Sequence, residues 1–485
     1  MKQLLAVILC CLLTVPVYGA FGAATVWWVD GSAGADTNGG GFDSGVVSPG
    51  TDESGTAVAI TVTLTGTTTG TCLPLCTSTT HGPGNFIHIA SGTGCTFPAW
   101  YEILSQTTGT ITVDHAMGVS TDACVGTIGG NLASIGVAGT RTVSQNNICV
   151  KDDATYSVSA GITVATGGAV GTLSSIQGYH TTCGVNGSSN DAGNCTIVSP
   201  GTGCVTIQAT SGTNYTLLTS QANTSVSNFI IDCNSRATTT GFLINASGLE
   251  MDNVLVKNCA TRGIQIQAGS NTITRTRVTG GLAACTAGIN IGGNSAIVGV
   301  VVDANNCPGV VVGNNAFICI NSVSVNNVGA SSDGFQLNVT TTNAVALINC
   351  AGYTNGRDDF RFTNIAALGD AIIRNSIGWG STGKSFNSSA STFTGAVTLN
   401  YNAYASGSLS GMTAGPNDVT LTADPFTNGA SLDFSLNSAV GGGAALKAKG
   451  FPGVVAGSTG YISIGPIQPN PTGGTTVSGA YGFVQ

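Results

Sequence analysis

The second half of the chain repeats one short pattern: GFLI from Gly241, GIQI from Gly263, GINI from Gly288, GVVV from Gly309, GFQL from Gly334, DFRF from Asp359 and SFNS from Ser385. The intervals are 22, 25, 21, 25, 25 and 26 residues. A pattern that holds while its spacing wanders suits a solenoid, because extra residues are absorbed at the turns between coils. In GIQI, Ile264 and Ile266 point inward and Gln265 outward; in NVLVKNC, Val254 and Val256 point inward, Leu255 and Lys257 outward. Each strand then finds a parallel partner one coil away, and aliphatic side chains stack along the axis. A leucine-rich horseshoe would need spaced leucines and a helical segment, and neither is present.

Composition points the same way. Charged residues are 7% of the chain and glycines number 71, so the solvent face must be built of hydroxyls and amides rather than ions. Thr suits exposed strand positions, and Asn and Gly suit corners that need positive φ. The chain reads as all-β. A net charge of −8 without a basic patch excludes nucleic acid as a partner. GGNSAIVG and GGGAAL lack the strand, turn and helix context of a nucleotide site, and no Ser, His and Asp set can be assembled.

Residues 1–19 combine Lys2, an apolar LLAVILCCLLTV run and small residues Val17 and Gly19 before Ala20, which predicts a secretory signal peptide and an extracellular or cell-surface protein. No other run is long and apolar enough to span a bilayer. Of 16 cysteines, Cys10 and Cys11 lie in the leader, and the even remainder favours disulfides. Cys72 with Cys76 and Cys183 with Cys195 could close small loops; Cys233 with Cys259 and Cys285 with Cys307 fall on adjacent coils, close enough to bridge. Buried free thiols are the alternative. Zinc is disfavoured, since there is no CxxC pair and the four histidines, His81, His88, His115 and His180, precede the clear repeats.

Residues 20–145 differ from the coils: AVAITVTLTG, NFIHIASG and GTITVDH alternate as half-buried antiparallel strands. They are expected to form a β-rich cap over the first coil, with Trp27, Trp28, Trp100 and Tyr101 in its core. Residues 146–440 carry the coils, 441–468 a C-terminal cap and 469–485 a flexible tail. Asn258, Asn305, Asn326 and Asn349 are expected at corresponding corners. Residues 146–440 resemble the right-handed parallel β-helices of the pectin-lyase-like superfamily. The opening DGSAGADTNGGGFD and the ending DFSLNSAVGGGAALKAKGFPG…YISIGPIQ are similar to the ends of secreted and phage-associated members. That resemblance implies the fold, and with it polysaccharide lyases, glycoside hydrolases, tailspikes and adhesins as the range of roles.

Aligning the coils turns the repeat into columns. The residue before each start is Thr240, Arg262, Ala287, Pro308, Asp333, Asp358 and Lys384, so two carboxylates and an ammonium are expected at one corner. The outward position two residues after each start is Leu243, Gln265, Asn290, Val311, Gln336, Arg361 and Asn387. Two functional readings are open. In the first, Gln265, Asn290, Gln336 and Arg361, with Trp379 and Tyr353, Tyr401 and Tyr404 as ring platforms, bind polysaccharide or another cell-surface ligand along a lateral groove, as in an adhesin-like or structural protein. In the alternative, Asp333, Asp358, Asp359, Arg361 and Lys384 serve a polysaccharide lyase or glycoside hydrolase, with paired carboxylates as acid and base. The adjacent Asp358 and Asp359 resemble the paired aspartates of polygalacturonases, but the Gly-His-Gly and Arg-Ile-Lys elements are missing. Calcium could meet the same oxygens, but the nearby cations oppose it, and no cofactor is expected. A purely structural reading makes the Asp residues corner formers neutralised by Arg357, Arg361 and Lys384. A virus-type spike is the third reading.

Overall fold

The computed structural model describes residues 26–42, 58–71, 86–96, 99–107, 109–113, 116–119, 122–128, 130–141, 146–164, 173–181, 183, 195, 197, 203–212, 214–237, 239–313, 315–338, 344–363, 371–388, 397–447, 449–450 and 465–466. The leader, Cys72, Cys76 and the tail 469–485 lie outside them, as does most of 451–468.

Each coil has three faces. Face C carries strands such as Arg262–Ile266, Ala287–Ile291, Phe335–Asn338 and Phe360–Thr363. Face A follows with Asn271–Thr274, Ser295–Val298, Phe317–Ile320, Val345–Ile348 and Ala371–Arg374; face B closes the coil with Arg277–Thr279, Val301–Asp303, Val323–Val325, Ala351–Tyr353 and Ile377–Trp379. Every strand pairs in parallel with its counterpart one coil away, and face C runs unbroken over ten described strands from Ile162–Val164 to Leu409–Ser410. Faces A and B are one strand in Glu250–Lys257, bent at Asn253 with φ 53°; later coils bend at Arg275, Gly299, Asn321, Asn349, Asn375 and Tyr401, all with positive φ. Asn tolerates this left-handed conformation because its short amide can bond locally, so a corner recurs without a glycine in every coil.

The inward residues fulfil the alternation read from sequence. Phe242, Ile264, Ile289, Val310, Phe335, Phe360 and Phe386 are fully buried in one column of face C. Phe335, Phe360 and Phe386 stack with centroids 5.0 and 4.8 Å apart. Truncating the middle ring, Phe360→Ala, should cost about 3–5 kcal/mol. Urea unfolding of the variant checks it; a loss below about 1 kcal/mol would remove the stack from the core. Leu255 points outward as expected, yet is covered in a satellite cluster with Ile230 and Cys204.

Several expectations are corrected. Val26–Val29 pairs in parallel with Asn147–Lys151, so the solenoid begins before residue 146. Trp27 therefore lies in the solenoid core and Trp28 in an outer cluster with Tyr179, rather than in a cap. What separates these strands is a closed antiparallel barrel of six strands within Val58–Ile128, which holds Tyr101 in its core. The helix Ile135–Arg141 packs on the first coil and supplies the covering that the open end requires. Cys233–Cys259 and Cys285–Cys307 are bridged as expected, but Cys183 pairs with Cys149 and Cys195 with Cys204; Cys95–Cys124 and Cys319–Cys350 complete the described bridges. The four corner asparagines occupy three columns. Asn258 and Asn326 share one left-handed corner, Asn349 belongs to the other, and Asn305 faces inward.

Candidate functional site

The first position of face C explains much of the site. Gly241, Gly263 and Gly288 leave no room for a side chain, because a Cβ there would come within 2.4, 2.2 and 2.6 Å of Cγ1 of Val256, Val278 and Val302 on face B. Down the solenoid the bulk changes sides. The face B column continues as Ser324, Gly352 and Gly378, while the face C column becomes Asp359 and Ser385. Ser324 Oγ donates to the Gly334 carbonyl at 2.7 Å, and the side chain of Asp359 fills the space opposite Gly352. Asp359 consequently points into the solenoid and has no solvent exposure.

Around it lies a buried polar ladder. Asn305 Nδ2 donates to Asn327 Oδ1 at 3.0 Å, Asn327 Nδ2 to Asn355 Oδ1 at 2.9 Å, and Asn355 Nδ2 to Asp359 Oδ1 at 3.1 Å. Ser381 Oγ also donates to that oxygen. No cation reaches the carboxyl among the described residues, so burial pushes it up to about 8 against the pull of Ser381 and Asn355. Asp359 is thus separated from Asp358, which faces the other way, and the two cannot act as the acid and base pair considered from sequence.

The corner column also differs from expectation. Asp333 and Asp358 are adjacent, with the Asp358 amide donating to Asp333 Oδ1 at 3.2 Å. Asp333 has no exposed surface; Arg357 Nε donates to its Oδ1 at 2.7 Å and Arg357 Nη2 to its Oδ2. Burial raises the Asp333 carboxyl, and Arg357 opposes that rise. Asp358 is 2% exposed. Its Oδ1 accepts from the Lys384 amide at 2.7 Å, and its Oδ2 from Asn387 Nδ2 at 2.8 Å and Arg361 Nη1 at 3.4 Å. The Lys384 ammonium does not join them: Nζ donates to the Gly407 carbonyl at 3.0 Å. Both carboxylates are therefore almost wholly buried and each accepts three hydrogen bonds from the protein, the arrangement expected of a corner.

The outward column of face C is in register throughout: Gln265 pairs with Asn290, Asn290 with Val311, Val311 with Gln336, Gln336 with Arg361 and Arg361 with Asn387. All are half-buried. Arg262 Nη1 donates to Gln265 Oε1 at 3.1 Å. The expected ring platforms are less available. Tyr353 and Tyr404 are 7% and 6% exposed, and Tyr353 donates to Asp424 Oδ2 at 2.6 Å. Trp379 packs beside the apolar cluster formed by the C-terminal segment and also borders a shallow depression with Ser381, Lys384 and Ser408, off the amide column.

The column of Asp333, Asp358 and Lys384 is not the only charged one among the described residues. Faces A and B carry others: Arg275 Nε on Asp252 at 2.7 Å, Arg277 on Asp303 at 2.8 Å and Lys257 on Asp232 at 3.4 Å. Spacings of 23 to 26 residues between these acids and bases were the available signal. No group of three or more His, Cys, Asp or Glu among the described residues is arranged to hold a metal, and no helix among them is long and apolar enough to cross a membrane.

No family model and no curated protein matches the chain. Among solved structures it is similar to pectate lyase Pel9A, at 15% identity and TM-score 0.49 over 70% of this chain and 92% of that one. It is similar to the A-module of Azotobacter vinelandii mannuronan C-5 epimerase AlgE4, at 12% identity and TM-score 0.25 over 58% and 92%. It is also similar to the Gp54 tailspike of Acinetobacter baumannii bacteriophage AP22, solved with a capsular saccharide, at 7% identity and TM-score 0.25 over 76% and 64%. These likenesses carry nothing about activity. By its own parallel pairing from coil to coil, the chain is a three-faced parallel β-helix.

Proposed function

We propose that this is a secreted protein that binds an extended polysaccharide along face C and does not cleave it. The observation that carries the reading is the in-register outward column Gln265, Asn290, Gln336, Arg361 and Asn387. Amides and a guanidinium are groups of the kind that match vicinal hydroxyls, although Arg361 and Asn387 also hold Asp358 Oδ2 and Arg262 holds Gln265 Oε1, and the coil spacing of about 4.8 Å is comparable with the rise of one sugar unit in an extended glycan. The burial of Asp333 and Asp358, each held by three donors of the protein, favours binding over cleavage. Six described disulfides agree with an oxidising compartment.

A glycan array identifies the ligand, and reducing-end and unsaturated-uronate assays on the same glycans test for cleavage. Binding without products is expected, with Arg361→Ala and Gln336→Ala each weakening it about tenfold, the equivalent of about 1.4 kcal/mol. Product formation abolished by Asp358→Asn would establish the lyase or hydrolase reading instead.

A further inference from the structure

Face A presents a second surface that the amide column does not use. On its outward side Val298, Ile320 and Ile348 stand in one registered column, and Ile318 and Ile372 in the next, two coils apart. These five β-branched aliphatics are half-buried and belong to none of the described apolar clusters. The outward residues of face B differ, because Val323, Val325 and Tyr353 share a cluster with Phe426 and Phe434 of the C-terminal hairpin. On a surface otherwise built of hydroxyls and amides, an aliphatic stripe over four coils marks a contact.

The course of the chain end identifies the occupant. Leu446 is buried with the cover of face B, and from there the chain reaches the corner between faces B and A. Gly465 donates its amide to the Asn375 carbonyl at 2.9 Å, and a Cβ on Gly465 would come within 2.9 Å of Ile377 Cδ1. Asn375 is the left-handed bend that follows the face A strand of Ile372. Gly465 and Pro466 are both buried at that corner, so residues 467–485, outside the described residues, start beside the C-terminal end of the stripe. Those residues carry no charged side chain, and Tyr481, Phe483 and Val484 follow the turn-forming PNPTGG. Phe483 stands 17 positions after Pro466, a reach of up to about 55 Å, whereas the Val298 coil is only about 14 Å from that of Ile372. A tether of this kind holds its end at an effective concentration on the order of 1 mM, above that of a second copy in dilute solution. We propose that the segment Tyr481 to Val484 docks on the face A stripe, as a strap that the chain lays over its own aliphatics. Two aromatic rings suit the site, since each buries a large apolar area while fixing few torsions.

Hydroxyl-radical footprinting of the full chain, read by mass spectrometry, tests this because it reports on side chains directly. Tyr481 and Phe483 should be oxidised about tenfold more slowly than in a synthetic peptide of residues 467–485, the result of a contact of about 0.1 mM intrinsic dissociation constant at that effective concentration. Ile320→Lys and Ile348→Lys should each bring the rate back to that of the peptide. Phe483→Asp, which changes nothing in the solenoid, should raise the oxidation of Ile318 and Ile320 severalfold, as should removal of residues 467–485. Thermal unfolding of each variant confirms that it is folded. Oxidation of Tyr481 and Phe483 at the peptide's rate overturns the proposal, as does protection indifferent to both lysine substitutions. Protection that disappears on dilution would seat the tail of a second copy on the stripe, and also overturns it.

Discussion

Gly352→Val is expected to destabilise the protein by more than about 3 kcal/mol, the upper part of the range for overpacking, since the clash involves backbone as well as side chain. A Cβ at Gly352 would lie 2.5 Å from Asp359 Cβ and 3.0 Å from its Cα. The double variant Gly352→Val with Asp359→Gly should recover most of that loss, because it restores the glycine opposite valine that three earlier coils use at Gly241, Gly263 and Gly288. Urea unfolding of the two single variants and the double one completes the cycle. A coupling below about 0.5 kcal/mol would mean that the two columns do not share the space.

The second large effect concerns pH. Folding raises the Asp359 carboxyl from 3.8 to about 8, so the folded protein keeps a proton that the unfolded chain has released. The associated stability is fully present below about pH 4 and is lost as pH rises through 8. Burial moves Asp333 in the same direction. Asp359→Asn removes the larger of the two titrations while its amide oxygen still accepts from Ser381 and Asn355. Relative to the parent protein, its stability should rise from pH 5 to about pH 8 and level off above it, reaching a few kcal/mol, since each tenfold change in proton affinity is worth about 1.4 kcal/mol. Unfolding midpoints at pH 5, 7 and 9 measure this, and parallel curves for parent and variant would show that Asp359 is ionised in the fold.

These two predictions also mark where reading the chain succeeds and where it stops. In-register parallel pairing makes spacing a coordinate, so Gln265, Asn290, Gln336 and Arg361 could be aligned from letters alone. The same logic found Cys233–Cys259 and Cys285–Cys307, each pair one coil apart. It failed for Val26–Val29, whose partner Asn147–Lys151 lies beyond an inserted barrel, because pairing across such a gap leaves no local period. It failed for Lys384, because a long side chain can leave its column for the Gly407 carbonyl whatever its backbone register. Asp359 was legible in principle. It occupies a column where glycine is obligatory earlier, and the compensating glycines of AGY at 351–353 and IGW at 377–379 stand 26 residues apart. Alignment of a single face concealed that exchange, just as it concealed the ion pairs of faces A and B.

The most direct measurement of the functional claim is a calorimetric titration with oligosaccharides of increasing length, drawn from whichever glycan the array identifies. From Gln265 to Asn387 the outward column spans five coil steps, about 24 Å. Affinity should therefore climb with each added sugar and level off near six units, with Arg361→Ala shortening the useful length. Affinity already complete with a single sugar or a disaccharide, and unchanged by Gln336→Ala or Arg361→Ala, would place the ligand elsewhere and contradict the account.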